Sequence, residues 1–119
     1  MALRVLICDD AVGFPHLLEV WLNEAEGVEP VGVVATGPDL LERVGTDPPD
    51  AVLLDLMLPH GPITPELVAG VRDLAPGVRI VLVSNLPVDK LVSEAQRVGA
   101  DATCAKAAPA AAFIGALLS

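Results

Sequence analysis

Aromatic side chains are scarce in this sequence: they form 3% of its 119 residues, with one Trp, two Phe and no Tyr. A core built here therefore rests on Val, Leu, Ala and Ile, since apolar residues still reach 53%. That is the filling of sheets and helices packed in layers. Basic residues are also few. Lys90, Lys106 and five arginines face 16 acidic residues, for a net charge of -9. Nucleic-acid binding needs basic residues that displace counterions from phosphates, so no direct nucleic-acid partner is expected. The only two cysteines, Cys8 and Cys104, lie in apolar runs and read as reduced, buried thiols acting as small hydrophobes. No stretch approaches the ~18–20 unbroken apolar residues of a membrane span. The N-terminus lacks the ordered charged, apolar and small-residue regions of a signal peptide. The expectation is one cytoplasmic domain over residues 1–119, because a chain of this length holds one sizeable core and not two.

Short apolar runs alternate with longer amphipathic ones along the whole chain. Leu3 to Cys8 (LRVLIC) is the first short run, closed by Asp9 and Asp10. Val12 to Glu26 then sets Phe14, Leu17, Leu18, Trp21, Leu22 and Ala25 at helical spacing, with Pro15 in the first turn and Gly27 at the end. The pattern predicts a second strand over Val31 to Ala35 and a short helix from Pro38 through Val44. A third strand over Ala51 to Leu54 leads into a loop from Leu56 to Ile63, then a helix opened by Thr64-Pro65-Glu66. Leu67, Val68, Val71 and Leu74 would form the apolar face of that helix. Val78 to Val83 reads as the fourth strand. The fourth helix shows Leu91, Val92, Ala95 and Val98 on one face and is closed by Gly99. Ala100 to Ala105 is a weak fifth strand, and Pro109 to Leu118 the last helix.

Strands alternating with helices imply parallel strands joined by right-handed crossovers. Strands one, three and four are continuously apolar, as strands covered on both faces must be. The second carries Pro30 and Gly32, and the fifth carries Asp101 and Thr103, which suits sheet edges. The expected fold is α/β and doubly wound (flavodoxin-like), with five helices around a five-stranded parallel sheet in the order 2-1-3-4-5. Patterning alone leaves other doubly wound orders open.

In such sheets ligands bind beyond the carboxyl ends of the strands, where the strand order reverses. Asp9 and Asp10 end strand one and Asp55 ends strand three, so three carboxylates would meet in one crevice and repel one another. A divalent cation relieves that repulsion, and magnesium suits one or two carboxylates, waters and phosphate oxygens. The carbonyl of Met57 could add a ligand. Strand four ends in Ser84 and strand five just before Lys106, so a hydroxyl and a cation reach the same edge.

These residues resemble those of the response-regulator receiver family, and the resemblance covers essentially the whole chain. ICDDA resembles the family's metal-binding acidic pair, and LLDLMLP its phospho-acceptor strand, with Pro59 four residues after Asp55. VLVSN is similar to the hydroxyl strand, and GADATCAK to the run ending in the family's lysine. The resemblance implies a phospho-accepting receiver of a two-component phosphorelay. Asp55 would be the nucleophile, Asp9, Asp10, Asp55 and Met57 would hold Mg2+, and Ser84 and Lys106 would contact the phosphoryl group. The implied donor is a sensor histidine kinase or a phosphotransfer protein. The chain would then be no enzyme beyond catalysing its own aspartyl phosphorylation and dephosphorylation.

Three positions depart from the family pattern. Thr103 stands where an aromatic residue usually lies, Ala107 replaces the proline after the lysine, and Ile63 replaces a loop glycine, with Gly61 two residues earlier. They motivate an alternative, a pseudo-receiver acting as a phosphorylation-independent interaction module. A small phosphohydrolase would want a second acid where Met57 stands, and a flavin site would be repelled by Asp9 and Asp10. Among other residues, His60 reads as a solvated loop imidazole close to the phosphoryl site, His16 as surface and Trp21 as core. The uncharged last helix is expected to dock on a second copy or an output domain, because a helix apolar all round is covered on both sides.

Overall fold

A computed structural model describes residues 1–119. Its elements run β1 (Leu3–Cys8), α1 (Phe14–Glu24), β2 (Val28–Val34), α2 (Gly37–Thr46), β3 (Ala51–Asp55), β4 (Met57–Leu58), β5 (Gly61–Pro62), α3 (Pro65–Leu74), β6 (Arg79–Ser84), α4 (Val88–Val98), β7 (Ala102–Ala105) and α5 (Ala110–Leu118). The main sheet has the order β2-β1-β3-β6-β7, all parallel. Counting its strands alone, this is the expected 2-1-3-4-5 with five helices. One pairing was not foreseen: the loop after β3 folds back as the antiparallel hairpin β4–β5, with Met57 opposite Pro62.

Alternation along the strands divides the core in two. Leu6, Cys8, Val52, Leu54, Ile80 and Leu82 pack with Leu40, Val44, Val68, Val71, Leu91 and Val98 of α2, α3 and α4. Val5, Ile7, Leu53, Val81 and Val83 face the other way, onto Leu18 and Leu22 of α1 and Phe113 and Leu117 of α5. Successive side chains of a strand point to opposite faces, so each central strand must be apolar throughout. The weak strands are at the edges as expected. In β2 the register slips where Val5 pairs Pro30 and Leu6 pairs Gly32. Gly32 has φ 150°, and the Arg43 guanidinium, which donates to the Val31 carbonyl, occupies the space that a Cβ would need.

Local chemistry sets the helix ends. Thr36 and Thr64 cap α2 and α3 by accepting from the Asp39 and Leu67 amides, with prolines in the first turns. Gly99 closes α4 in the left-handed region at φ 83°. Asp101 fastens the far edge, because its carboxylate accepts from the Ile80 amide at 2.8 Å and from Arg72 at 3.1 Å.

Several expectations shift in detail. Leu17 and Leu74, read as core, are exposed, and Trp21 is half-buried beside Phe113. Each lies at the margin of its helix's apolar stripe, where a helix packed on one sheet face turns towards solvent. α5 buries Phe113 and Leu117 but leaves Ala111, Ala112, Gly115 and Leu118 exposed. No helix is long and apolar enough to cross a membrane.

Candidate functional site

β1 and β3 are neighbours whose chains then leave to opposite sides of the sheet: β1 is followed by α1 on one face, and α3 lies on the other. The crevice this opens at their carboxyl ends is where the sequence placed its acids. Asp9, Asp10 and Asp55 do converge there, each offering a carboxylate oxygen within 4.8 Å of the others. Asp9 (3% exposed) and Asp55 (7%) are buried, whereas Asp10 faces solvent.

Lys106 enters from the end of β7. Its amide donates to the Ser84 carbonyl at 2.9 Å, prolonging the β6–β7 ladder, and its Nζ lies 3.1 Å from Asp55 Oδ2 and 3.2 Å from Asp9 Oδ2. One ammonium is thus shared by two buried carboxylates. The Lys106 side chain is 19% exposed, and the Phe14 ring covers it, with 5.3 Å from Nζ to the ring centroid. The other Asp55 oxygen accepts from the Met57 amide at 3.3 Å, and Asp9 Oδ1 accepts from Ala11 at 2.8 Å. Ser84 is buried, and its Oγ accepts from the Leu86 amide at 3.1 Å, leaving the hydroxyl proton free to donate.

Asp10, Asp55, Met57, Ser84 and Lys106 line one cleft of about 830 Å³, together with the hairpin prolines Pro59 and Pro62. Burial pushes the Asp55 carboxyl above its ordinary range and Asp9 adds to this, against the opposing pull of Lys106. For Lys106, burial alone would lower the pKa, but Asp55 and Asp9 outweigh it and the net shift is upward. Cys8, beneath the acids, is pushed up to about 12 by burial and then by the charges of Asp55, Asp9 and Asp10. Such a thiol is inert. Both cysteines are free and buried.

Three carboxylates against one ammonium leave the cluster with net negative charge. Its donors are hard oxygens, the kind that suits magnesium or calcium. The residues present therefore fit a divalent cation. All of the expected site residues meet at this one edge: Asp9, Asp10 and Asp55 in the cluster, and Met57, Ser84 and Lys106 around it. His60 does not join them. It is exposed and lines a separate apolar cavity of about 390 Å³, with Leu41, Leu67 and Ile63, behind the hairpin. Thr103 lies apart as well, in a groove beside Val92 and Ala95 of α4. Sequence reasoning missed two residues. Phe14 was read only as part of an apolar helix face, although it opens α1 four residues after Asp10. Glu94 lines the rim of the cleft, held by Arg97, which also donates to the Ile63 carbonyl.

Comparison with known proteins agrees with this geometry. A family model described as the response regulator receiver domain matches residues 5–117. The signal receiver domain of the putative response regulator NarL from Mycobacterium tuberculosis superposes with a TM-score of 0.85 at 26% identity, over 98% of this chain and 94% of that one. A response regulator protein from Burkholderia pseudomallei, solved with a phosphorylated aspartic acid, a calcium ion and citrate, gives 0.81 at 25% identity, over 98% and 66%. In sequence, 57 residues are 44% identical to a protein-glutamate methylesterase/protein-glutamine glutaminase of Myxococcus xanthus. That match takes in 48% of this chain but only 16% of the relative.

Proposed function

The chain belongs to the response regulator receiver domain family, and we propose that it is a phospho-accepting receiver in which Asp55 takes a phosphoryl group in a magnesium-dependent reaction. The observation that carries this reading is the position of Lys106 Nζ, within 3.2 Å of both Asp55 and Asp9 at the mouth of an open cleft. A cation already seated on the attacking carboxylate stands where negative charge accumulates as a phosphoryl group arrives.

Phosphoryl transfer asks a protein for positioning and charge neutralisation more than for covalent chemistry. An Asp55 oxygen attacks phosphorus, the bond from phosphorus to the donor nitrogen breaks, and its electron pair leaves with the donor imidazole of a sensor kinase or phosphotransfer protein. The Met57 amide and Lys106 hold the carboxylate in place for this attack. Lys106 then exchanges Asp55 for a phosphoryl oxygen, and the Ser84 hydroxyl donates to another. Asp9, Asp10, Asp55 and the Met57 carbonyl would hold Mg2+, which supplies further neutralisation of the phosphoryl oxygens. The chemistry ends on the protein's own side chain, so no other substrate is turned over.

Incubation with acetyl phosphate and magnesium, followed by intact-mass measurement, tests the assignment. One added phosphoryl group on the wild type and none on Asp55→Asn is the expected result. No adduct on the wild type would overturn it in favour of a phosphorylation-independent interaction module, the reading that Thr103 and Ala107 suggest.

A further inference from the structure

Every Phe and Trp ring in the chain belongs to one cluster, and that cluster begins at the site. Its one Trp and two Phe stack in sequence. Phe14 lies 6.0 Å from Phe113 with their planes at 55°, and Phe113 lies 6.0 Å from Trp21 at 45°. These are the tilted arrangements that ring quadrupoles favour. The first ring carries the Lys106 ammonium over its face. The cluster lies wholly on the side of the sheet covered by α1 and α5. On the opposite side, covered by α2, α3 and α4, the core contains no ring at all.

Resting on the phospho-acceptor reading above, we propose that Phe14 is the positioning residue of Lys106, and that the Phe14–Phe113–Trp21 stack couples occupancy at Asp55 to the packing of α5 on α1. The ammonium has two carboxylates within 3.2 Å and a ring face at 5.3 Å. The ring attracts the cation and denies it water, so Lys106 stays on Asp55 and Asp9 instead of extending into solvent. Phe14 itself is free to respond. It is the first residue of α1, a helix end with no side-chain cap at Gly13, and its half-buried ring is held only by packing. Phe113 is not free, being 1% exposed in the core of that face. When a phosphoryl group draws the ammonium outward, Phe14 loses its cation and repacks against a ring that cannot yield. The displacement passes into α5 and to Trp21, the chain's single tryptophan.

Two measurements on the full chain test this. The first is a double-mutant cycle of Phe14→Leu and Lys106→Met, read by urea unfolding without any phosphoryl donor. The second is Trp21 emission on adding magnesium with beryllium fluoride, a phosphoryl mimic, for the wild type, Phe14→Leu and Phe14→Tyr, with acetyl-phosphate labelling followed by mass. A non-additivity of about threefold or more in the unfolding constant is expected, together with an emission step that Phe14→Leu loses and Phe14→Tyr restores. An additive cycle overturns the positioning role. A full emission step in Phe14→Leu overturns the coupling. A wild type that accepts no phosphoryl group overturns the proposed function instead, and the unfolding cycle still judges Phe14.

Discussion

Replacing Lys106 with Met removes the only cation from a site with two buried carboxylates while keeping most of the side chain's volume. At an effective dielectric of about 20, unit charges about 3.1 Å apart attract by roughly 5 kcal/mol, and Lys106 makes two such contacts, at 3.1 and 3.2 Å. Most of that gross attraction is offset by desolvation. Breaking one side of a buried pair costs about 3–5 kcal/mol, because the remaining charge is stranded. Since Lys106 is 19% exposed, the low end applies, roughly 3 kcal/mol. For a chain of 119 residues, the unfolding entropy of about 2.1 cal/mol/K per residue makes this a Tm loss of roughly 12 °C. Asp55→Asn should act in the opposite direction. Its carboxyl is raised above the ordinary 3.8, so the folded state binds the proton more tightly than the unfolded one. Stability therefore falls as pH rises from about 3.8 through the folded value, and is lowest above it. Asn removes that fall and stabilises the protein at neutral pH. In the Asp55→Asn background, Lys106→Met strands one buried acid instead of two, so its cost should shrink by about 1.5 kcal/mol or more. Thermal and urea unfolding of the four proteins measure this. Costs that add within about 0.5 kcal/mol would show that the two side chains are not coupled, and the electrostatic picture of the site would be wrong.

Three further outcomes follow from the same structure. Magnesium at about ten times its dissociation constant should stabilise by roughly 1.4 kcal/mol, raising Tm by about 6 °C in a melt. Asp9→Asn combined with Asp10→Asn should abolish the rise, and an equal rise with potassium at matched ionic strength would reduce it to screening. Gly99→Ala forces a Cβ into the left-handed region at φ 83°, where no neighbour obstructs it, so urea unfolding should register a loss of about 1 kcal/mol from backbone strain alone. Asp101→Ala leaves the Ile80 amide without its 2.8 Å acceptor, costing about 1–3 kcal/mol. Exchange of the Ile80 amide should then accelerate with the change, and an unaltered exchange rate would contradict the assignment.

The sequence showed what the backbone dictates and hid what side chains do sideways. Strand order was legible because composition differs between edge and centre: Pro30 and Gly32 exclude β2 from a position needing two hydrogen-bonded neighbours, and LRVLIC is apolar but for Arg4 near its start. The acids, Ser84 and Lys106 were legible because each ends a strand, and parallel strands deliver their carboxyl ends to one edge. The β4–β5 pairing was not, since a hairpin of two residues per strand has no periodicity to detect. Leu17 and Leu74 were misread because helical spacing says which residues share a stripe, not how far the sheet beneath extends. The same blindness concealed Phe14. Its spacing marked it as core, and its contact with Lys106 joins positions far apart in the chain that only the meeting of α1 and β7 defines.

That meeting explains why so few aromatics are placed as they are. Aliphatic side chains suffice on the side of the sheet covered by α2, α3 and α4, whose core holds no ring. Under Lys106 the demand is different. The surface there has to be apolar enough to keep water from a buried ion pair, yet attractive to a cation that two carboxylates already hold. An aliphatic side chain meets the first demand and fails the second, while a carboxylate does the reverse and would add charge to an acidic cluster. A ring face meets both. Phe14, the residue opening α1, both faces the Lys106 ammonium and packs on Phe113, so the composition of this small core and the electrostatics of its cleft are constrained at the same residue.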